Sequence, residues 1–193
     1  MSTAEGVLNK VGLRFWVRLG NCVSKTRTVL TATWPTPVDE EEYAIFCPCL
    51  EGLPEAHAAL LSILPLHDAN AMLTDALSCP TFRGTARRPD YAALCLVDPF
   101  RRLDDLFDAV AAAGITGIVN LPSISSFFDP TIADTDVFDA GFAREIAGLV
   151  QAKERGFEIA GTAPDQAHSE KLSTIGCGFV LSADGRTIFD PKS

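Results

Sequence analysis

The chain lacks the basic excess that nucleic acids and anionic membranes require of a partner. Its 193 residues carry 16 Lys and Arg against 25 Asp and Glu, a net charge of −9. Neither partner is expected, because both are bound by clustered cations that displace counterions. No run of about 18 apolar residues exists to cross a bilayer, and Met1 to Lys10 has no continuous apolar stretch like that of a secretory signal. A cytoplasmic protein is the expectation. The paired spacings of a zinc site are also missing: the six cysteines, at 22, 47, 49, 79, 95 and 177, are scattered among apolar neighbours and read as reduced thiols. Gly-x-Gly-x-x-Gly does not follow the first strand-like run, and Gly-Lys-Ser/Thr occurs nowhere, so the nucleotide-binding open sheets lose their main signature. What is present is 47% hydrophobic residues and a mean hydropathy of +0.17. That is enough apolar surface for one core spanning residues 1–193, with no staple and no disorder.

Periodicity divides the chain into short β-rich runs and longer amphipathic ones. Strands are expected over 28–33, 43–47, 91–97, 117–121, 157–162 and 177–181. The run Tyr91 to Val97 is almost wholly apolar, which marks a strand buried on both faces. Trp34-Pro35-Thr36-Pro37 closes the first strand, because two prolines forbid a ladder there. Helices are expected over 54–64, opened by Pro54; over 68–77, capped by Asp68; and from Leu103 to Gly114, where Leu103, Leu106, Phe107 and Val110 form the apolar stripe. A loop from Pro122 to Asp136 leads to a helix over 139–155, and another helix runs over 165–174. Buried strands alternating with helices imply right-handed β-α-β units and a parallel sheet. Polar residues gather where those strands end, at Asp98 and Arg101, Asn120 and Ser123, and Thr162. A (β/α) barrel keeps its active site there.

Four segments together resemble one family. They are Leu64-Pro65-Leu66-His67-Asp68-Ala69-Asn70-Ala71, Cys95-Leu96-Val97-Asp98-Pro99-Phe100-Arg101, Gly114 to Ser123, and Gly141 to Phe157. In this order and spacing they resemble the phosphoenolpyruvate hydrolase-like TIM-barrel family, over roughly residues 43–185. The resemblance implies a parallel (β/α) TIM-barrel-like fold, chemistry of the phosphoenolpyruvate/pyruvate type, and in some members a signalling role. Three family segments are altered here. Thr33 to Pro37 stands in place of a Gly/Ala-rich loop, Pro48 to Gly52 in place of a Ser-Gly-Arg loop, and Ser182-Ala183-Asp184-Gly185 in place of His-Met-Gly.

Asp98 and Arg101, three apart at a strand-to-helix turn, are the leading site candidates. Arg101 suits a carboxylate or phosphate, while Asp98 suits substrate orientation or Mg²⁺. A local ion pair with helix capping is the plainer alternative. Asn120 at a buried strand end needs partners, and an enolate-like oxygen is one option. Asp98, Arg101 and Asn120 are therefore the expected catalytic residues, with Asp68, Asn70, Ser123 and Thr162 as substrate-binding ones. His67 would serve as a base only from a solvated loop, and His57 and His168 read as surface residues on helices. Cys95 reads as a core thiol. Cys47-Pro48-Cys49, if extended, turns both sulfurs to one face, although two small residues ending a strand is the simpler reading. Glu145 lies on a helix whose facing the sequence leaves open.

The expected ligand is a small anionic oxo acid or phosphorylated metabolite, handled by hydrolase or lyase chemistry. A catalytically degenerate barrel used for ligand sensing or protein interaction is the alternative. Six expected strands fall short of the eight of a barrel of about 250 residues. The fold is thus expected to be an incomplete barrel, closed by self-association or by a partner chain.

Overall fold

The computed structural model describes residues 16–18, 27–40, 42–53, 68–127, 135–182 and 188–189. The strands are β1 (Trp16–Arg18), β2 (Arg27–Thr31), β3 (Glu42–Phe46), β4 (Tyr91–Leu94), β5 (Gly117–Asn120), β6 (Glu158–Ala163), β7 (Val180–Ser182) and β8 (Ile188–Phe189). The α-helices are α1 (Ala69–Ser78), α2 (Pro80–Arg83), α3 (Leu103–Ala112), α4 (Thr135–Glu154) and α5 (Gln166–Thr174). The helix expected over 54–64, the histidines 57 and 67, and the segment 183–185 lie outside the described residues.

The eight strands form one sheet in sequence order. β2 to β7 are parallel, while β1 and β8 pair antiparallel at the two ends. A doubly wound sheet reverses its strand order at a switch point. Here every strand adds beside its predecessor, so right-handed crossovers put the intervening helices on one face and the sheet curls. Among the described residues the six parallel strands make a curled half-barrel, α/β and TIM-barrel-like but incomplete. β1 and β8 carried no sequence signal, being three and two residues long.

Two apolar clusters lie on opposite faces of the sheet. Phe46, Ala92, Leu94, Ile118 and Ile159 pack with Leu73, Phe107, Phe142 and Leu149 of the helices. Leu30, Ile45, Ala93, Val119, Ala160 and Leu181 line the concave side. Ile45, Val119 and Ala160 are fully buried, so at these positions the concave face is already covered within a single chain. At the N-terminal ends of the strands, Tyr43 stacks on Phe179 and Tyr91 meets it edge-on, with centroids 5.5 and 5.2 Å apart. Gly117 makes room for that ring, since a Cβ there would stand 2.4 Å from Tyr91. Close by is a cavity of about 210 Å³, whose polar wall includes Lys153 and Glu158.

The helices begin and end as local chemistry requires. Asp68 caps α1 by accepting the Ala71 N–H, and Asp165 caps α5 by accepting the His168 N–H. Gly114 and Gly156, with φ of +76° and +90°, follow α3 and α4 in the left-handed conformation glycine adopts without strain. On their exposed sides α3 and α4 are joined by Arg155, which reaches both Asp104 and Asp108. Among the described residues no helix is long and apolar enough to cross a membrane.

Two expectations are corrected. His168 is buried: its ring meets Phe142 edge-on at 5.0 Å, its Nδ1 lies 2.7 Å from Asp165, and its Nε2 lies 3.6 Å from Asp139. It sits in the first turn of α5, facing α4, where the next element rather than solvent is its neighbour. Cys47-Pro48-Cys49 is not an extended segment, because Pro48–Leu50 is a turn of 3₁₀ helix. The turn brings the two buried sulfurs to 3.4 Å of each other.

Candidate functional site

The strand expected over 91–97 stops at Leu94, and the reason lies on α1. Asn70 Nδ2 donates to the Cys95 carbonyl at 3.0 Å, and the Cys95 N–H donates to Asn70 Oδ1 at 3.1 Å. One side-chain amide thus takes both backbone groups that a ladder would otherwise use. The same Nδ2 donates to Asp98 Oδ2 at 2.8 Å. Asp98 Oδ1 accepts the Phe100 N–H at 2.8 Å, which shapes the turn. Arg101 Nη1 donates to Asp98 Oδ2 at 3.2 Å, and Nη1 and Nη2 donate to the two oxygens of Asp68 at 2.9 and 2.7 Å.

Asp68, Asn70, Asp98 and Arg101 therefore form one cluster at the C-terminal rim. Asn70 is its buried foot, and Asp68 and Arg101 face outward with side chains 52% and 31% exposed. Burial alone would raise the Asp98 pKa, but the Phe100 N–H, the Asn70 amide and Arg101 outweigh it and hold the carboxyl below its ordinary value. Asp98 stays charged. Phe100, next to Arg101, is 89% exposed.

Asn120, Ser123 and Thr162 meet in a second cluster, around a residue whose direction the sequence left open. Glu145 on α4 accepts from Asn120 Nδ2 and Ser123 Oγ at 2.8 Å each, and from the Ile124 N–H at 2.9 Å. Asn120 Oδ1 accepts the Thr162 N–H at 2.7 Å, so this amide also replaces a strand ladder, between β5 and β6. Ser125 Oγ donates to the Thr162 carbonyl at 3.1 Å. Asn120, Ser123 and Glu145 are fully buried. Burial pushes the Glu145 carboxyl up to about 7, against the three donors that favour its charge.

Asn120 shares its strand face with Ile118, which packs on the helices, so its side chain points under α4 rather than toward the concave mouth. As placed, it ties the ends of β5 and β6 together. Thr162 alternates the other way. It shares a face with Ala160 of the concave cluster, and among the described residues its buried hydroxyl has no hydrogen-bond partner. Cys95, the residue after β4, is half-buried. Burial, opposed by the Val97 N–H and reinforced by the Glu145 and Asp98 charges, pushes its thiol up to about 11, so it is a weak nucleophile.

A signal for Glu145 did exist in the sequence. Phe142, Glu145, Leu149 and Ala152 follow one helical stripe, and the other three are buried apolar residues. Ser125 had no such signal.

Asp98 was the candidate either for orienting a substrate or for holding Mg²⁺. Both of its oxygens accept from N–H donors, one of them on a guanidinium. Among the described residues no group of three or more His, Cys, Asp or Glu could hold a metal ion. The donor set is that of an anchored hydrogen-bond acceptor and does not fit a divalent cation.

A sequentially ordered parallel half-barrel with polar residues at its C-terminal rim defines an incomplete TIM-barrel-like protein. The chain belongs to the phosphoenolpyruvate hydrolase-like family, whose model matches residues 54–189. It is similar to the uncharacterized protein y4oT of Sinorhizobium fredii (strain NBRC 101917 / NGR234), 28% identical over 144 residues, 74% of this chain and 71% of that one. The ToMV resistance protein Tm-1(GCR237) of Solanum lycopersicum is 26% identical over 133 residues, 67% of this chain but 17% of the tomato protein. The ToMV susceptible protein tm-1(GCR26) of the same plant matches with the same figures. The segment shared with this chain therefore has the same identity to a protein named for resistance and to one named for susceptibility.

Proposed function

We propose that this chain binds a small oxo acid or its phosphorylated form at the C-terminal rim of the half-barrel, and acts as a hydrolase or lyase on a C–O or C–C bond beside the oxo-acid carbonyl. The observation that carries the reading is the Arg101 guanidinium, partly exposed at the rim and already in two-pronged geometry with a carboxylate. That is how arginine grips carboxylate and phosphate. Asp98 fixes the guanidinium, and Asn70 fixes Asp98 to the end of β4. Arg101 supplies donors toward a developing enolate-like oxygen. Asn120 acts one layer below, holding the ends of β5 and β6 in register.

Thermal shift and calorimetry with phosphoenolpyruvate and pyruvate test the binding. Arg101→Ala abolishes ligand stabilisation and turnover while the protein stays folded. Unchanged turnover of an identified substrate refutes the assignment.

A second reading, a degenerate barrel that senses a ligand or docks a protein, is favoured by two observations. The low pKa of Asp98 makes it a poor base, and Phe100 stands 89% exposed beside Arg101. Stabilisation by an oxo acid without product formation selects it.

Closure by self-association belongs to the same proposal and rests on the incomplete barrel, with six parallel strands. A clean monomer in light scattering at micromolar concentration overturns it. The unpaired thiols of Cys47 and Cys49 suit a cytoplasmic location.

A further inference from the structure

The Arg101 fork is occupied by another part of the same chain. Nη1 and Nη2 donate to the two Asp68 oxygens at 2.9 and 2.7 Å, the arrangement a substrate acid group would need. We infer that Asp68 is a built-in competitor for the anion site: its carboxylate fills the Arg101 fork and must turn away before a substrate acid docks, so it sets the affinity threshold an anion has to clear. This rests on the reading that Arg101 receives the acid group. It gives Asp68 a role opposite to that of a residue touching substrate.

The geometry allows the exchange without unpacking the fold. Asp68 and Arg101 are 52% and 31% exposed, so either side chain can swing at the rim. Asp68 also accepts the Ala71 N–H at 2.9 Å as the cap of α1, and this bond survives release of the guanidinium. Arg101 keeps a second anchor at 3.2 Å on Asp98, which Asn70 and the Phe100 N–H hold in place. Each partner thus has a reason to stay where it is when the other leaves.

The consequence for ligands is quantitative. If the fork is free only part of the time, the apparent dissociation constant is the intrinsic one divided by the free fraction. A simple monocarboxylate is no better an acceptor than Asp68 and gains little by replacing it. A phosphoryl group, with more charge and more oxygens, clears the threshold more readily. Competition raises the dissociation constant of every anion by the same factor, whereas charge repulsion weakens a multiply charged anion most.

The test is calorimetric binding of phosphoenolpyruvate and of pyruvate to the full chain and to Asp68→Asn, which keeps a capping oxygen. Asp75→Asn, on exposed α1 surface two turns further along, controls for net charge. We expect Asp68→Asn to tighten both ligands by a similar factor, about three- to tenfold for a partly exposed pair, and Asp75→Asn to leave both unchanged. In the double variant Asp68→Asn/Arg101→Ala the gain disappears. Affinity that is unchanged or weakened in Asp68→Asn overturns the inference, as does a gain confined to phosphoenolpyruvate, or no binding of either ligand. If Arg101→Ala alone binds phosphoenolpyruvate as tightly as the unsubstituted chain, it is the reading of Arg101 as the anion site that fails.

Discussion

The rim cluster and the Glu145 cluster use the same device and differ in what surrounds it. In each, one asparagine amide clasps the backbone of a strand end, Asn70 at Cys95 and Asn120 at Thr162, and also donates to a carboxylate, Asp98 or Glu145. At the rim that carboxylate has a guanidinium beside it and is held below its ordinary pKa. Under α4 the carboxylate has neutral donors only, and burial raises it to about 7. The rim has access but a weak base, and the interior has basicity but no access. An amide contact alone does not make a site; the cation and the exposure decide.

The largest effect that sharpens this contrast is expected from Asn120→Ala. It leaves the Thr162 N–H unpaired and removes a donor from buried Glu145, costing roughly 3–5 kcal/mol in urea unfolding. A loss below about 1 kcal/mol would show that the interior cluster is not the structural one.

The pH response comes next. Because the Glu145 pKa is raised from 4.5 to about 7 in the fold, its contribution is fully present below about 4.5 and is lost as pH rises through 7. The fall amounts to about 3 kcal/mol at most, at about 1.4 kcal/mol per unit. Asp98 runs the other way: its depressed pKa gives stability above the ordinary value of 3.8 that is lost as pH falls below it. Unfolding measured from pH 5 to 8 should therefore show a downward slope that Glu145→Gln flattens and Asp98→Asn leaves intact. A slope unaffected by Glu145→Gln breaks the comparison.

Asn70→Ala is expected to cost about 2 kcal/mol, since it frees the two backbone groups of Cys95 and loosens Asp98. Smallest is Arg101→Ala, at most about 1 kcal/mol, because its pairs are partly exposed. An Arg101→Ala loss as large as that of Asn120→Ala would erase the distinction between a functional rim and a structural interior.

Much of the fold was legible because its causes are local. Asp68 and Asp165 mark the starts of α1 and α5 by side-chain capping, and Gly114 and Gly156 mark the ends of α3 and α4 by their left-handed backbone. The run Tyr91 to Val97 announced a strand buried on both faces, though it could not show that Asn70 would end the ladder at Leu94. The meeting of Asp68 with Arg101 was not legible in the sequence, since 33 residues separate them.

By itself the sequence determined the order of β2 to β7 and of helices α1, α3, α4 and α5 between them, the parallel class of those strands, and the count of six that marks an incomplete barrel. Periodicity, caps and turn residues carry that information within a few residues of where it is used. Tertiary structure alone decided the facing of the polar strand ends. β5 is buried on both sides, so an apolar pattern cannot say which side meets the helices and which the concave mouth. Only the packing of α4 on that sheet turned Asn120 toward Glu145 and left Thr162 on the opposite side.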